Sequence, residues 1–168
     1  MANTVSITLL NDGPRNTQVE LQCAINTADQ AQTLLIDPAT LQGMDNTGAL
    51  KAATFRVKEV LYSIQDGLAV QFLWNATTPV QFLDIAGRGK MDFEEFGGLK
   101  NPLAAGANGQ ILFSTQGWSS GTVNFTVLLK LEKVQAAVYA NITGTYNPAT
   151  GQPYQERYAN IGATIPNE

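Results

Sequence analysis

From Phe55 to Trp74 the chain alternates hydrophobic and polar positions with a period of two. Val60, Tyr62 and Ile64 interleave with Leu61, Ser63 and Gln65, and Leu68, Val70, Phe72 and Trp74 interleave with Ala69, Gln71 and Leu73. A period of two sends successive side chains to opposite faces of a sheet. The pattern predicts two long strands, joined at Asp66-Gly67 by a type I′ turn as a central hairpin. Phe55 and Val57 fall on the other parity from Val60, so a bulge near Lys58-Glu59 is expected to reconcile the phases.

Similar patterns recur along the chain. Val19, Leu21, Cys23 and Ile25 alternate within a strand over Thr17–Asn26. Thr27–Gly43 is compatible with a short helix or a strand. The strand, Thr33–Ile36, is favoured because Pro38 disfavours helical geometry at Asp37. Further strands are expected at Val80–Ile85, Lys90–Phe93, Gln110–Thr115 and Val123–Leu131, with a glycine- and alanine-rich connection from Phe96 to Gly109. About eight turn-punctuated strands and no convincing helix predict an all-β, single-domain, jelly-roll-like sandwich over residues 17–134. Residues 1–16, with Val5–Leu10 as a short apolar run, read as an N-terminal arm or an edge strand. Residues 135–168 read as an extended C-terminal arm rich in Asn, Thr, Gly and Pro. In that arm Tyr139, Tyr146, Tyr154 and Tyr158 are candidate interface residues, because aromatic rings with a polar tip favour interfaces.

Composition narrows the function. Only 14% of residues are charged, against roughly 25% in typical soluble chains, so Asn, Gln, Thr and Ser carry much of the solvation. The net charge is −4 and no basic run occurs, which argues against nucleic-acid binding. No apolar stretch approaches the roughly 20 residues of a membrane helix, and the N-terminus lacks the pattern of a signal peptide. The single cysteine, Cys23, shares its parity with apolar neighbours and reads as a small buried hydrophobe.

Catalytic constellations are scarce. The chain has no histidine, which removes Ser-His-Asp and Cys-His arrangements. Asp92 and Glu94, two apart, would share a strand face. They are candidates for a carboxylate pair or a calcium site, weighed against a plain solvated strand end. Gly87–Lys90, "GRGK", lacks the features of a phosphate loop and reads as a tight turn. The N-x-Thr sequons at Asn75, Asn124 and Asn141 are chance matches in a Thr- and Asn-rich chain. Trp74 is assigned to the core. Trp118, beside Gly117, is the better candidate for an exposed contact such as a sugar-stacking platform. No cofactor is expected and no enzymatic activity is assigned.

One stretch carries a resemblance. The Leu73-Trp74-Asn75-Ala76-Thr77 corner, the Gly87-Arg88-Gly89 turn, Phe93, and the Gly97-Gly98-Leu99-Lys100-Asn101 loop before Gly109-Gln110-Ile111-Leu112 resemble small virion structural proteins of tailed bacteriophages, including cyanophages. The likeness covers roughly the middle half of the chain and neither end. It implies a capsid decoration or cement protein, made in the host cytoplasm and carried on the capsid surface. Its implied partners are the major capsid protein and further copies of itself, as a homotrimer. A carbohydrate-binding module displayed on the virion is the alternative.

Overall fold

Ten β-strands and two single 3₁₀ turns make up the computed structural model, which describes residues 2–135. The strands are β1 (Thr4–Asp12), β2 (Asn16–Ile25), β3 (Thr33–Ile36), β4 (Ala52–Ile64), β5 (Ala69–Trp74), β6 (Val80–Ala86), β7 (Arg88–Asp92), β8 (Leu99–Lys100), β9 (Ile111–Gln116) and β10 (Val123–Gln135). They form two antiparallel sheets. One runs β1-β2-β10-β4-β7, with β8 also paired to β4, and the other runs β3-β9-β5-β6. Leaving aside β1 and the two-residue β8, the chain visits the sheets in the order first, second, first, second, second, first, second, first. That is the strand order of a jelly roll, so the expected all-β sandwich is what the chain builds. The first sixteen residues, an arm or an edge strand on sequence grounds, supply an edge strand from Thr4 onward.

Alternation drives the packing. Val19, Leu21, Cys23 and Ile25 of β2 and Phe125, Val127, Leu129 and Leu131 of β10 are all buried on one face of the first sheet. Val70, Phe72 and Trp74 of β5 and Ile111 and Phe113 of β9 are buried in the second. Each such side chain removed from water stabilises the fold by about 1.5–3 kcal/mol. In β4, Phe55, Val57 and Val60 are all fully buried although their parity changes. Lys130 pairs with Glu59 and Leu131 with Val57, so Lys58 is the extra residue of a bulge, where the sequence places it. Strand β3 likewise ends at Ile36. Asp37 then takes an extended conformation and accepts a hydrogen bond from Ala39 N–H at 2.9 Å, opening a 3₁₀ turn at Pro38.

The expected central hairpin is not formed. Strands β4 and β5 lie in different sheets, and Asp66-Gly67 is a corner between the layers. Gly67 has a positive φ of 88° whereas Asp66 does not, so the turn is not type I′. The partners that a hairpin would need are taken by remote chain. Ile64 N–H donates to Gly87 O at 2.7 Å and Gln65 N–H to Asn124 O at 3.1 Å.

Candidate functional surface

Pairing aligns the outward side chains of the first sheet into rows. Ser6, Gln22, Thr126, Ser63 and Arg88 form a neutral polar row crossing β1, β2, β10, β4 and β7. Thr8, Glu20, Leu128, Leu61 and Lys90 form the next. Shallow depressions follow Asn124, Thr126 and Ser63 along this face. Nothing in these rows is a reactive group poised for transfer; the face offers hydroxyls, amides and short apolar patches.

A charged row closes this face. Glu59, 6% exposed, lies between Lys130 Nζ at 2.9 Å and Lys90 Nζ at 3.2 Å. Hydrogen bonding from Lys130, reinforced by Lys90 and opposed by desolvation, holds the Glu59 carboxyl below the usual range. The same bond to Glu59, with the fields of Glu94 and Asp92, raises Lys130. A carboxylate held ionised by two lysines is a poor proton donor near neutrality, so this cluster supports binding rather than acid catalysis. On the bulge itself, Lys58 Nζ lies 2.9 Å from Glu132 Oε2.

The sign of the pH effect follows. Because the folded Glu59 has the lower pKa, the unfolded chain binds more protons in the acid window. The stabilising contribution of Glu59 is therefore complete above its ordinary value of 4.5 and disappears as pH falls through the depressed folded value. That of Lys130 is complete below 10.5 and is lost as pH rises past the raised folded value. Glu59→Gln should flatten the acid limb of a stability-versus-pH curve measured by denaturation. At neutral pH it should cost about 1 kcal/mol, since both lysines are more than a third exposed and screened by solvent. An unchanged acid limb would refute this assignment.

The sequence candidates are dispersed. Asp92 ends β7 and its Oδ1 accepts Glu94 N–H at 2.9 Å, while Glu94 starts a 3₁₀ turn. The two do not share a strand face, because the chain turns between them, and Asp92 serves that turn. Among the described residues no group of three or more His, Cys, Asp or Glu side chains is placed to hold a metal ion. Cys23 is buried between strands, and desolvation pushes its thiol up to about 12, which leaves it unreactive at neutral pH. Trp74 is 1% exposed and stacked on Phe82 with ring centroids 4.4 Å apart, so it has no free face for a sugar. Trp118 is half-buried against the core, and its indole N–H donates to Gly121 O at 2.9 Å. The carboxylate of Asp29 pins its turn, accepting Gly117 N–H at 3.1 Å and Trp118 N–H at 3.0 Å. Packing and internal hydrogen bonds thus account for Trp118. Tyr139, Tyr146, Tyr154 and Tyr158, with the rest of 136–168, lie outside the described residues.

Sequence reading missed a polar network that joins three loops at one end of the sandwich. Asn75 Nδ2–H donates to Gln110 Oε1 at 2.7 Å, and Asn108 Nδ2–H reaches the same oxygen at 3.0 Å. Gln110 Nε2–H in turn donates to Asp37 Oδ2 at 2.8 Å. Backbone bonds from Asn75 N–H to Gln110 O, 3.0 Å, and from Thr77 N–H to Ala105 O, 3.1 Å, complete it. The residues are 35 and 73 positions apart in the chain, and no local pattern announces such pairing.

The chain matches no protein-family model and no curated protein sequence.

Proposed function

We propose that this chain is a non-enzymatic virion structural protein. On this reading it binds the outside of a tailed-phage capsid as an oligomer and stabilises or decorates the shell. The observation that carries the reading is the Asn75–Gln110 network. It ties the Leu73–Thr77 corner to the Gly109–Leu112 segment, two separated stretches through which the resemblance to phage virion proteins runs. The third stretch, Gly97–Asn101, contains β8 on β4, with Asn101 Nδ2–H donating to Thr54 Oγ1 at 3.0 Å. The likeness thus falls on positions that act together in the fold, as expected of a shared architecture rather than of scattered coincidences.

Jelly rolls recur in capsid-associated and sugar-binding domains alike, and a fold does not by itself specify a function. Support for the structural role over sugar binding comes from Trp118, whose indole N–H is spent internally and whose ring rests on the core. Attachment to a lattice of identical sites makes modest individual contacts durable. The test is co-sedimentation of the full chain with heads assembled from the major capsid protein of the same genome, together with mass spectrometry of the virions. Saturable, stoichiometric binding and presence in the virion are expected. Absence from virions together with no head binding would overturn the reading.

A further inference from the structure

Strand β1 is the one long sheet edge that carries no protection. Its stretch Thr4–Leu10 contains neither a charged residue nor a proline. The other edges differ. Strand β7 carries Arg88, Lys90 and Asp92, β6 follows Pro79 and carries Asp84, and β3 is four residues long. Exposed edges are usually blunted by charge, proline or shortness, because their free N–H and C=O groups invite another strand. Among the described residues β1 pairs with β2 alone.

The apolar face of β1 is also uncovered. Val5, Ile7 and Leu9 stand opposite Cys23, Leu21 and Val19, on the parity that faces the core. Those β2 residues are at most 5% exposed, whereas Ile7 is 40% and Leu9 45% exposed. The first sheet is five strands wide along its main path and the second four, and β1 overhangs.

We infer that this edge pairs antiparallel with the β1 edge of a second copy, about a twofold axis passing through Ile7 normal to the sheet. A face-preserving twofold must be centred on a residue. Centring it on Ile7 sets Ile7 against Ile7 and Val5 against Leu9, with Ser6 against Thr8 on the other face. No charge opposes another anywhere in Thr4–Leu10, so the edge is complementary to itself. Leu10, 49% exposed, is the bulged residue that ends the regular ladder after Leu9. The pairing would continue the first sheet across both copies and join their overhanging apolar faces. A heterologous partner would be steered by charge, and this edge displays none. The inference does not depend on the capsid reading. It also differs from the threefold assembly that the resemblance implies.

Two measurements on the full chain test it. In Ile7→Cys the symmetric pairing sets the two new thiols across an antiparallel ladder, where Cα atoms lie about 4.5 or 5.5 Å apart, within disulfide range. Mild oxidation should link Ile7→Cys into a dimer on the order of a hundredfold faster than Asp66→Cys, an exposed turn control, because pairing raises the effective thiol concentration to the millimolar range. Cys23, being buried, does not compete. By light scattering the unaltered protein should be a dimer. Ile7→Lys and Ile7→Asp should each be monomeric, and mixing them should restore the dimer. Equal cross-linking rates, an unaltered protein that is monomeric, or a trimer unmoved by Ile7→Lys would each overturn the inference, leaving head binding to judge the capsid reading separately. Should either charged variant fail to fold, the cross-linking comparison decides alone.

Discussion

Asp12→Ala should lower the unfolding free energy by about 3–5 kcal/mol, a large share of what a domain of this size possesses. The Lys133 side chain is completely buried at the end of β10, and its ammonium group has two partners. Asp12 Oδ1 lies 2.5 Å away and Gln42 O 2.8 Å away. The second Asp12 oxygen accepts Gln42 N–H at 2.7 Å, and Lys133 N–H donates to Arg15 O at 2.7 Å. Removing the carboxylate strands a positive charge out of reach of water, whose cost is far larger than the Coulomb energy of a surface pair. Lys133→Met removes that charge and leaves Asp12, 21% exposed, in touch with solvent. The double variant Asp12→Ala/Lys133→Met should therefore recover more than half of the loss in guanidinium unfolding. An Asp12→Ala protein within about 1 kcal/mol of the original would show that water reaches Lys133 after all.

This pair also changes what an N-terminal truncation means. Deleting residues 1–16 removes β1 and Asp12 together, so a loss of binding in such a protein would report a damaged sheet as much as a missing contact. The point substitutions at Ile7 avoid the problem, because that side chain is already 40% exposed.

What was legible in the sequence was local. The bulge at Lys58 follows from a parity change within six residues, and the end of β3 follows from Pro38 alone. The destination of a strand is not local. Alternation marks β4 and β5 as strands but does not say which sheet each joins; that is settled by Gly87 and Asn124, which engage the end of β4 from far along the chain. The charged clusters were hidden for the same reason. Lys133 and Asp12 are 121 residues apart, and Glu59 meets lysines from β7 and β10 only because the ladder register places them side by side. Trp118 was misjudged because a turn tryptophan looks exposed until Asp29, 89 residues earlier, is seen to hold its backbone.

Gly109→Ala and Gly87→Ala separate two effects that a glycine-rich sequence confounds. Both glycines have positive φ, 79° and 73°, so an alanine at either site meets left-handed backbone strain of about 1–2 kcal/mol. At Gly87 nothing lies within 4 Å of the added Cβ, and strain should be the whole cost. At Gly109 the added carbon would overlap the Ala53 carbonyl oxygen and sit 2.8 Å from its carbon, with Pro38 Cγ at 3.1 Å. Ala53 belongs to β4 directly before Thr54 and Phe55, so relief would require moving backbone that leads into the core. The expected loss at Gly109 is about 4 kcal/mol or more, the range reserved for backbone clashes and broken buried networks, and the Asn75–Gln110 bridge next to it should open as well. Matched thermal or denaturant unfolding of the two variants decides the matter: equal losses would mean that the loop slides freely over β4. A steep loss at Gly109 alone would mean that this glycine is required by contact between loop and sheet. The Gly109–Leu112 part of the resemblance would then be explained by packing, and attachment to a capsid would have to be sought on surfaces that those glycines merely hold in place.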